Sequence, residues 1–324
     1  MLKLSIILPV YNEDGSLEEL YQEIKRVLDQ LAFGYEIIAV NDGSEDQSSE
    51  ILKKIARDDS KFKVIHFRRN YGQTAAISAG IDFSQGEILI PLDADLQNDP
   101  ADIPKFLEKL NQGFDVVSGW RKDRKDNLTR RLPSQMANWL ISFITKVKLH
   151  DYGCTIKAYK KETVQDIRFY GEMHRFMPAY AAWHGAKIGE IIVNHRPRKH
   201  GKAKYGLSRV FRVILDLLTV KFLMTYLTKP IHFFGFIGLT SLFFGFLSGI
   251  VTLIFKFILG ISLRSTQLPL ITVFLIIIGV QFILMGLLAE ILIRIYYEPR
   301  GKLPYSIKEK INFQQNNAQN SPNS

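Results

Sequence analysis

The sequence predicts an α/β protein in which a doubly wound, mostly parallel sheet is followed by two membrane-spanning helices. Strand-like and helix-like stretches alternate over residues 3–147, the pattern of βαβ units with right-handed crossovers. Two later stretches, 231–258 and 268–293, are almost entirely apolar, and each is long enough to cross a bilayer. The predicted strands end in acidic residues, at the place where open α/β sheets bind ligands.

The elements of the first part follow from apolar periodicity. The predicted strands are 3–10, 35–40, 62–67, 87–92 and 114–118, and the predicted helices are 16–32, 46–58, 73–84, 101–112 and 128–147. In the helices apolar residues recur every three or four positions, as Leu20, Ile24 and Leu28 do in the first. The strands are short apolar runs, as expected for strands buried on both faces.

The predicted domains are a cytosolic unit, 1–205, an amphipathic juxtamembrane helix, 206–229, a transmembrane hairpin, 230–297, and a tail, 298–324, disordered at its end. The amphipathic stretch suits a helix lying in the membrane interface. Lysine and arginine residues flank the outer ends of the hairpin in excess, which predicts that both ends are cytosolic. The apolar run before Val10 is too short for a signal peptide, so we also expect a cytosolic N-terminus.

Composition narrows the class of partner without choosing one. The 324-residue chain has a formal net charge of +10, which favours an anionic partner such as nucleic acid, a phosphorylated substrate or anionic lipid. Cys154 is the only cysteine, which excludes an internal disulfide framework and a cysteine zinc site.

Two aspartates, Asp93 and Asp95, follow the apolar run 88–92 directly. Residues i and i+2 of an extended chain point to the same side, so the two carboxylates can share one target. Hard oxygen donors suit Mg²⁺ or Mn²⁺, which also bind phosphate oxygens. The alternative is that both are solvated loop residues that cap a helix near Pro100.

Two other strand ends carry a similar set of residues, Pro9 to Glu13 and Asn41 to Ser44. The carboxylate of Asp42 can accept a hydrogen bond from a base N–H, and Gly43 permits close approach of the backbone. Each segment alone reads as an ordinary turn, but the three together indicate a nucleotide site. Neither a Gly-x-Gly-x-x-Gly motif after the first strand nor a Gly-Lys-Ser/Thr motif is present, which argues against dehydrogenases and P-loop enzymes.

Four motifs resemble those of family 2 glycosyltransferases of the GT-A fold. They are Pro-Val-Tyr-Asn-Glu at 9–13, Asn-Asp-Gly-Ser at 41–44, Arg-Asn-Tyr-Gly-Gln at 69–73 and Asp-Ala-Asp-Leu-Gln at 93–97. With the hairpin, the chain resembles the polyprenyl-phosphate glycosyltransferases, such as dolichol-phosphate mannose synthase. The segments 151–154 and 158–159 are similar to those of the bacterial undecaprenyl-phosphate formamido-arabinose transferases.

The resemblance implies inverting transfer of a sugar from a nucleotide-sugar donor to a polyprenyl phosphate, with Mg²⁺ or Mn²⁺. The implied nucleotide-sugar residues are Pro9, Tyr11, Glu13, Asp42, Asp93 and Gln97, with Arg198 and Lys204 from a loop that clamps the donor. The implied metal ligands are Asp93, Asp95 and Gln97. The acceptor phosphate is assigned to Arg121, Arg130, Arg131 and Ser134, and the catalytic residues to Asp93, Asp95, Arg121 and Arg130.

The chain departs from the family pattern at two positions. Ala203 replaces a serine of the basic loop, and Thr155 lies near a position where some members carry an aspartate that has been proposed as a base. A side-chain base is dispensable because a lipid phosphate is already anionic at neutral pH. The basic stretch 195–206 reads equally well as a belt on anionic lipid or as a glycine-hinged loop over a diphosphate.

We expect an integral protein of the inner or plasma membrane with its catalytic domain in the cytosol. Its expected partners are a nucleotide-sugar, which the bacterial resemblance implies is UDP-linked, the polyprenyl phosphate and the bilayer, and not nucleic acid. Association into a homo-oligomer stays open. The alternatives are a processive polysaccharide synthase and a non-catalytic membrane-anchored protein that binds polyanions. Gln135 to Trp139 does not match the Gln-x-x-Arg-Trp motif of the synthases, because Asn138 stands at the position of the arginine.

Overall fold

A computed structural model gives the fold of the chain. It describes residues 2–122, 138, 141–143, 145–165, 173–197, 230–297 and 305–313. These residues fall into two compact units, one within 1–220 together with 303–324, and the other within 221–302.

The first unit is built on an eight-stranded sheet. Its strands are β1 Leu2–Val10, β2 Gly34–Asn41, β3 Phe62–Phe67, β4 Ile88–Pro91, β5 Val116–Trp120, β6 Lys157–Lys160, β7 Ile188–Ile192 and β8 Ile307–Ile311. The spatial order is β7-β5-β6-β4-β1-β2-β3-β8. Neighbours are parallel except at β6, which runs antiparallel to β4 and β5, and at β8, which runs antiparallel to β3. The predicted mostly parallel α/β class is confirmed.

Helices cover both faces of this sheet. They are α1 Leu17–Leu28, α2 Ser48–Asp58, α3 Gln73–Phe83, α4 Ile103–Asn111 and α5 Met177–Trp183. Buried side chains of α1, α2 and α4 share one core with β1, and α3 forms a second core with β2 and β3. The alternation of strands and helices therefore produces the expected three layers, with the central strands buried on both sides.

Several boundaries differ from the prediction, and α1 ends at Leu28 rather than at residue 32. β5 begins at Val116 rather than at residue 114. Just before it, the Asp115 carboxylate accepts hydrogen bonds from the Lys187 backbone amide at 2.9 Å and from the Lys160 ammonium at 2.7 Å. The last predicted helix of the first part stops sooner than expected. Residues 141–143 and Thr145 are helical, but Lys146 has φ +60°, which is incompatible with continued α-helix.

The stretch predicted as a tail, 298–324, contains β8. Because β8 pairs with β3, residues 307–311 belong to the sheet of the first unit. The Asn312 amide donates to the carbonyl oxygens of Ala56 and Phe62 at 2.5 and 2.9 Å, which fixes the end of this segment. The chain therefore returns to the sheet after the apolar stretches.

The second unit is a helical hairpin, α6 Pro230–Phe257 and α7 Leu268–Tyr297. Within these helices, 233–257 and 268–289 are long and apolar enough to span a membrane. Small residues line their contact: a Cβ atom at Gly238 would lie 2.7 Å from the Gly279 carbonyl oxygen. The Ser241 hydroxyl donates to the Leu275 carbonyl oxygen at 2.9 Å. Close backbone approach and polar pairing of this kind are typical of helix contacts in membranes.

Candidate functional site

Four loops meet at one edge of the sheet, where the parallel strands β1 to β4 end. The Asn12 amide donates to the Ser44 hydroxyl at 3.1 Å, which joins the loops after β1 and β2. The Ser16 hydroxyl donates to the Ala94 carbonyl oxygen at 2.6 Å, which joins the start of α1 to the loop after β4. The three strand ends singled out in the sequence therefore form one connected surface.

The loop after β1 carries three of the predicted nucleotide residues. Pro9 lies opposite Val40 in the sheet, beyond the last residue of β1 that pairs with β4. Tyr11 and Glu13 are half-buried, and the Glu13 amide donates to the Ser48 hydroxyl of α2 at 3.0 Å. All three residues lie at the edge where the loops meet.

Asp42 ties the loop after β2 to the loop after β3. Its side chain is buried, and its two oxygens accept the amides of Tyr71 at 2.6 Å and Gly72 at 2.9 Å. Burial raises the pKa of Asp42, and the two amide hydrogen bonds oppose that shift. Gly43 has φ +70°, and a Cβ atom there would lie 2.5 Å from the Arg69 carbonyl carbon. Only glycine fits this crossing of two backbones.

The acidic pair is held by neighbouring polar groups. The Gln73 amide donates to Asp93 Oδ1 at 2.8 Å, and the Gln97 backbone amide donates to Asp95 Oδ1 at 3.1 Å. Burial, followed by the negative charge of Asp95, raises the pKa of Asp93 to about 6, against a hydrogen bond from Thr155. The cap near Pro100 that was the alternative role is supplied by Asp99, which accepts the Ala101 amide at 3.0 Å.

The backbone turn of this acidic loop is strained. Leu96 has φ +61° and is almost fully buried. A bulky residue in the left-handed region is uncommon and persists only where its surroundings enforce it. Here the Arg196 amide and the His195 ring contact the Gln97 carbonyl oxygen at 2.9 and 3.2 Å. The loop is thus fixed from a distant segment of the chain.

The donor set fits a divalent cation that shares its ligands with a substrate. The described part of the chain contains no group of three or more His, Cys, Asp or Glu residues arranged to hold a metal. Two aspartates therefore leave most coordination positions to water and phosphate oxygens, the usual arrangement for Mg²⁺ in phosphate-binding sites. A cation would also relieve the repulsion that raises the pKa of Asp93.

Arg121, at the end of β5, forms a two-pronged ion pair with Asp151. The distances are 2.7 Å from Nε to Oδ2 and 2.9 Å from Nη2 to Oδ1. The side chain of Arg121 is 14% exposed and that of Asp151 4%. A Cβ atom at Gly153 would lie 3.2 Å from Nη2, so the glycine leaves room for the guanidinium. The pairing orients Arg121, whose positive charge lowers the pKa of Asp93.

Several predicted residues lie outside the described part of the structure. They are Arg130, Arg131 and Ser134 of the predicted acceptor site, Arg198 and Lys204 of the predicted donor loop, and the amphipathic stretch 206–229. Their assignments stay as predictions.

Three further residues of the site have no assigned role in the sequence reasoning. Gln73, the last residue of the Arg-Asn-Tyr-Gly-Gln motif, holds Asp93 through its side-chain amide. The Asn98 amide donates to the Thr155 hydroxyl at 3.0 Å. Lys157 is buried in β6 and donates to the carbonyl oxygens of Tyr152 and Cys154, and burial lowers its pKa to about 8.

These loops, the acidic pair and the sheet order suit an enzyme that binds a phosphorylated ligand with a divalent cation. Comparison with known proteins identifies the class of enzyme. Residues 5–168 match the family model described as glycosyl transferase family 2. The chain belongs to this family and is a glycosyltransferase.

Two relatives that align with almost the whole chain indicate which glycosyltransferases it resembles. Dodecaprenyl-phosphate galacturonate synthase of Rhizobium johnstonii is 41% identical over 316 residues, 95% of this chain and 93% of that protein. Undecaprenyl-phosphate 4-deoxy-4-formamido-L-arabinose transferase of Pseudomonas syringae pv. syringae is 38% identical over 308 residues, 94% of this chain and 90% of that protein. The resemblance to bacterial polyprenyl-phosphate glycosyltransferases is confirmed.

Solved structures agree on the fold. Glucosyl-3-phosphoglycerate synthase from Mycobacterium tuberculosis, in complex with Mn²⁺, UDP and phosphoglyceric acid, superposes with a TM-score of 0.55 at 16% identity. The match covers 68% of this chain and 78% of that chain. At this identity the likeness establishes the GT-A fold of the first unit, and the ligands belong to the other protein.

Proposed function

We propose that this protein transfers a sugar from a nucleotide-sugar to a polyprenyl phosphate, with inversion at the anomeric carbon. The observation that carries the proposal is the edge of the sheet, where the acidic pair, the Asp42 loop and the paired Arg121 come together. Relatives that cover the chain carry names of enzymes acting on dodecaprenyl or undecaprenyl phosphate, which supports a polyprenyl phosphate as acceptor. We further propose a uridine diphosphate donor.

On the donor side, the nucleoside would lie against Pro9, Tyr11, Glu13 and Asp42. Asp93 and Asp95, with Gln97, would hold Mg²⁺ or Mn²⁺ against the diphosphate. The bound cation would stabilise the charge that develops on the departing nucleoside diphosphate. Gln73 and Thr155 keep Asp93 in place while this charge builds. Arg198 and Lys204 are the proposed clamp on the donor.

On the acceptor side, Arg121 would hold the lipid phosphate, with Arg130, Arg131 and Ser134 as its expected partners. A phosphate oxygen forms the new bond to the anomeric carbon, on the face opposite the diphosphate. The bond from that carbon to the diphosphate oxygen breaks, and its electron pair leaves with the nucleoside diphosphate. The lipid phosphate is already anionic, so no proton has to move. Placing the two substrates in line can supply about 7–11 kcal/mol of the barrier.

The proposed place of the reaction is the cytosolic face of the membrane. The hairpin α6–α7 would anchor the chain, and the stretch 206–229 would lie in the interface. Lysine and arginine residues around both outer ends of the hairpin support a cytosolic position for those ends. This placement brings the water-soluble donor and the lipid acceptor to the same enzyme.

The test uses the full chain in detergent with Mn²⁺ and undecaprenyl phosphate. A panel of UDP-linked and GDP-linked sugars is added, and lipid-linked sugar is measured by mass spectrometry. We expect one UDP-sugar to be converted, with release of UDP in equal amount. Nucleotide release with no lipid product would reject the acceptor, and no turnover with any donor would reject the proposed reaction.

A further inference from the structure

The segment that follows the hairpin packs along β3, the strand that leads into loop 68–72. We call 68–72 the nucleotide loop, because its Tyr71 and Gly72 amides bind Asp42. β8 is antiparallel to β3, with Ile311 opposite Val64 and Ile307 opposite Phe67. The Arg68 amide donates to the Ser306 carbonyl oxygen at 3.0 Å, one residue beyond the end of β3. The beginning of this segment is therefore fixed at the end of β3 that leads into the nucleotide loop.

Tyr305 is held at both ends of its side chain. Its ring stacks on that of Phe67, with centroids 4.9 Å apart and planes inclined by 20°. Its hydroxyl donates to the Asp82 carboxylate at 2.8 Å. The residue is 6% exposed. A stacked aromatic pair contributes about 0.5–1.5 kcal/mol beyond its buried area, so Tyr305 restrains Phe67 appreciably.

Phe67 passes this restraint to the nucleotide loop. Its ring meets that of Tyr71 edge to face, with centroids 5.6 Å apart. The Arg69 guanidinium lies 4.6 Å from the centroid of the same Tyr71 ring. The Tyr71 amide donates to Asp42 at 2.6 Å. A continuous series of contacts thus runs from Tyr305 through Phe67 and Tyr71 to Asp42.

The far end of the same segment lies at the other end of β3. Phe313 packs edge to face on Phe83, with centroids 5.7 Å apart, and the Lys63 ammonium lies 5.4 Å from its ring. None of these contacts involves the residues that follow β3. Phe313 is therefore a matched control: an aromatic residue of the same segment without a contact to the nucleotide loop.

We propose that Tyr305 is a positioning residue of the donor site, so that the segment after the transmembrane hairpin completes the pocket for the nucleoside diphosphate. This proposal rests on the proposed function, because it assigns the Asp42 loop to the donor. Tyr305 would act through Phe67 and Tyr71 and would not touch the nucleotide itself.

The experiment measures binding of UDP and of GDP, each with MnCl₂, to the full chain in detergent by calorimetry. Wild type should bind one of them. Tyr305→Ala should raise the Kd about tenfold, and Tyr305→Phe, which keeps the ring stack, should stay within about threefold. Phe313→Ala should lower the Tm as Tyr305→Ala does and leave the Kd within about twofold. Should Tyr305→Ala not fold, Tyr305→Leu replaces it, with the same expectation.

Kinetics provide a second measurement. Tyr305→Ala should raise the KM for the nucleotide-sugar and leave kcat at saturating donor unchanged. Equal weakening by Phe313→Ala and Tyr305→Ala would mean general destabilisation and would overturn the inference, as would a wild-type Kd in Tyr305→Ala. Wild-type protein that binds neither UDP nor GDP would instead reject the proposed donor and the inference together.

Discussion

At the scale of single residues, Asp95 is the most direct test of the acidic pair. Its side chain is 6% exposed and accepts the Gln97 amide, so Asp95→Asn keeps the shape of the loop and removes a negative charge. We expect turnover to fall by more than about 100-fold, the upper end of losses for residues that only support metal ligands. Asp58→Asn, at an exposed position of α2, is the control and should retain wild-type turnover.

Asp93 gives the protein a pH dependence of defined sign. Its pKa is raised from 3.8 to about 6, so protonation competes with cation binding below that pH. With UDP present, Mn²⁺ affinity measured by electron paramagnetic resonance should fall about tenfold per pH unit below 6. Without metal, the native state holds the extra proton between pH 3.8 and about 6. Unfolding free energy, taken relative to Asp93→Asn, should therefore fall as pH rises through this window. A flat difference would contradict the assignment.

Arg121 tests the acceptor side. Arg121→Ala should raise the KM for the lipid phosphate about ten- to a hundredfold, since hydrogen bonds to charged groups contribute about 1.5–3 kcal/mol. Arg121→Lys should restore only part of this, because lysine lacks the guanidinium fork that pairs with Asp151. The donor KM should change little. Arg57→Ala, an exposed arginine of α2, should match wild type in both constants; acceptor kinetics unchanged in Arg121→Ala would remove the residue from the site.

At the scale of elements, apolar periodicity predicted those strands and helices whose pattern is contained in their own stretch of sequence. The strands β1 to β4 are apolar runs separated by helices, and each of these strands was found within two residues of its predicted ends. β6, β7 and β8 were missed. Lys-Ala-Tyr-Lys and Ile-Lys-Glu-Lys-Ile carry charged residues at half or more of their positions, and Ile-Gly-Glu-Ile-Ile is interrupted by a glycine and a glutamate. Such short strands are specified by the edge that they pair with, and that edge lies far away in sequence.

In the candidate site, too, the sequence predicts some residues and not the long-range contacts that hold them. The strand-end motifs located Asp42, Asp93 and Asp95, because a sheet brings successive carboxyl ends to one edge. The bonds from Gln73 to Asp93 and from Asn98 to Thr155 join residues 20 and 57 positions apart, and periodicity holds no information on them. Arg121 acts on Asp93 through its charge and is also paired with Asp151. The sequence pattern could not predict this pair, because it depends on how loop 151–155 folds against the end of β5.

The helical hairpin leads to a prediction of the side of the membrane on which each part of the chain lies. Single cysteines at Ser60, Ser265 and Lys308 lie at exposed positions of the first unit, the helix connection and β8. In intact cells a membrane-impermeant maleimide should label only Ser265→Cys, and the other two should react after permeabilisation. Native Cys154 is an internal control, because burial raises the pKa of its thiol to about 11. Labelling of Lys308→Cys from outside would contradict the pairing of β8 with β3.

At the scale of the whole molecule, the sheet-containing unit is assembled from both ends of the chain. A chain that ends at residue 229 lacks β8 and leaves the edge of β3 unpaired. A variant in which a Gly/Ser linker replaces 230–302 retains β8. We expect the linker variant to melt about 5–10 °C higher than the truncated chain, given about 2–4 °C per kcal/mol for a unit of this size. Equal Tm values by scanning calorimetry would show that β8 adds no stability.

The return of the chain to β3 also sets an order of events during synthesis. Asp82 and Tyr305 are 223 residues apart, and a ribosome that adds about 5–20 residues per second needs roughly 10–45 s to make the stretch between them. Throughout that interval the nascent sheet has an open edge at β3. The stretch includes the two apolar helices, so they leave the ribosome before the strand that closes the sheet. The sheet of the first unit is therefore completed only after both apolar helices have been synthesised.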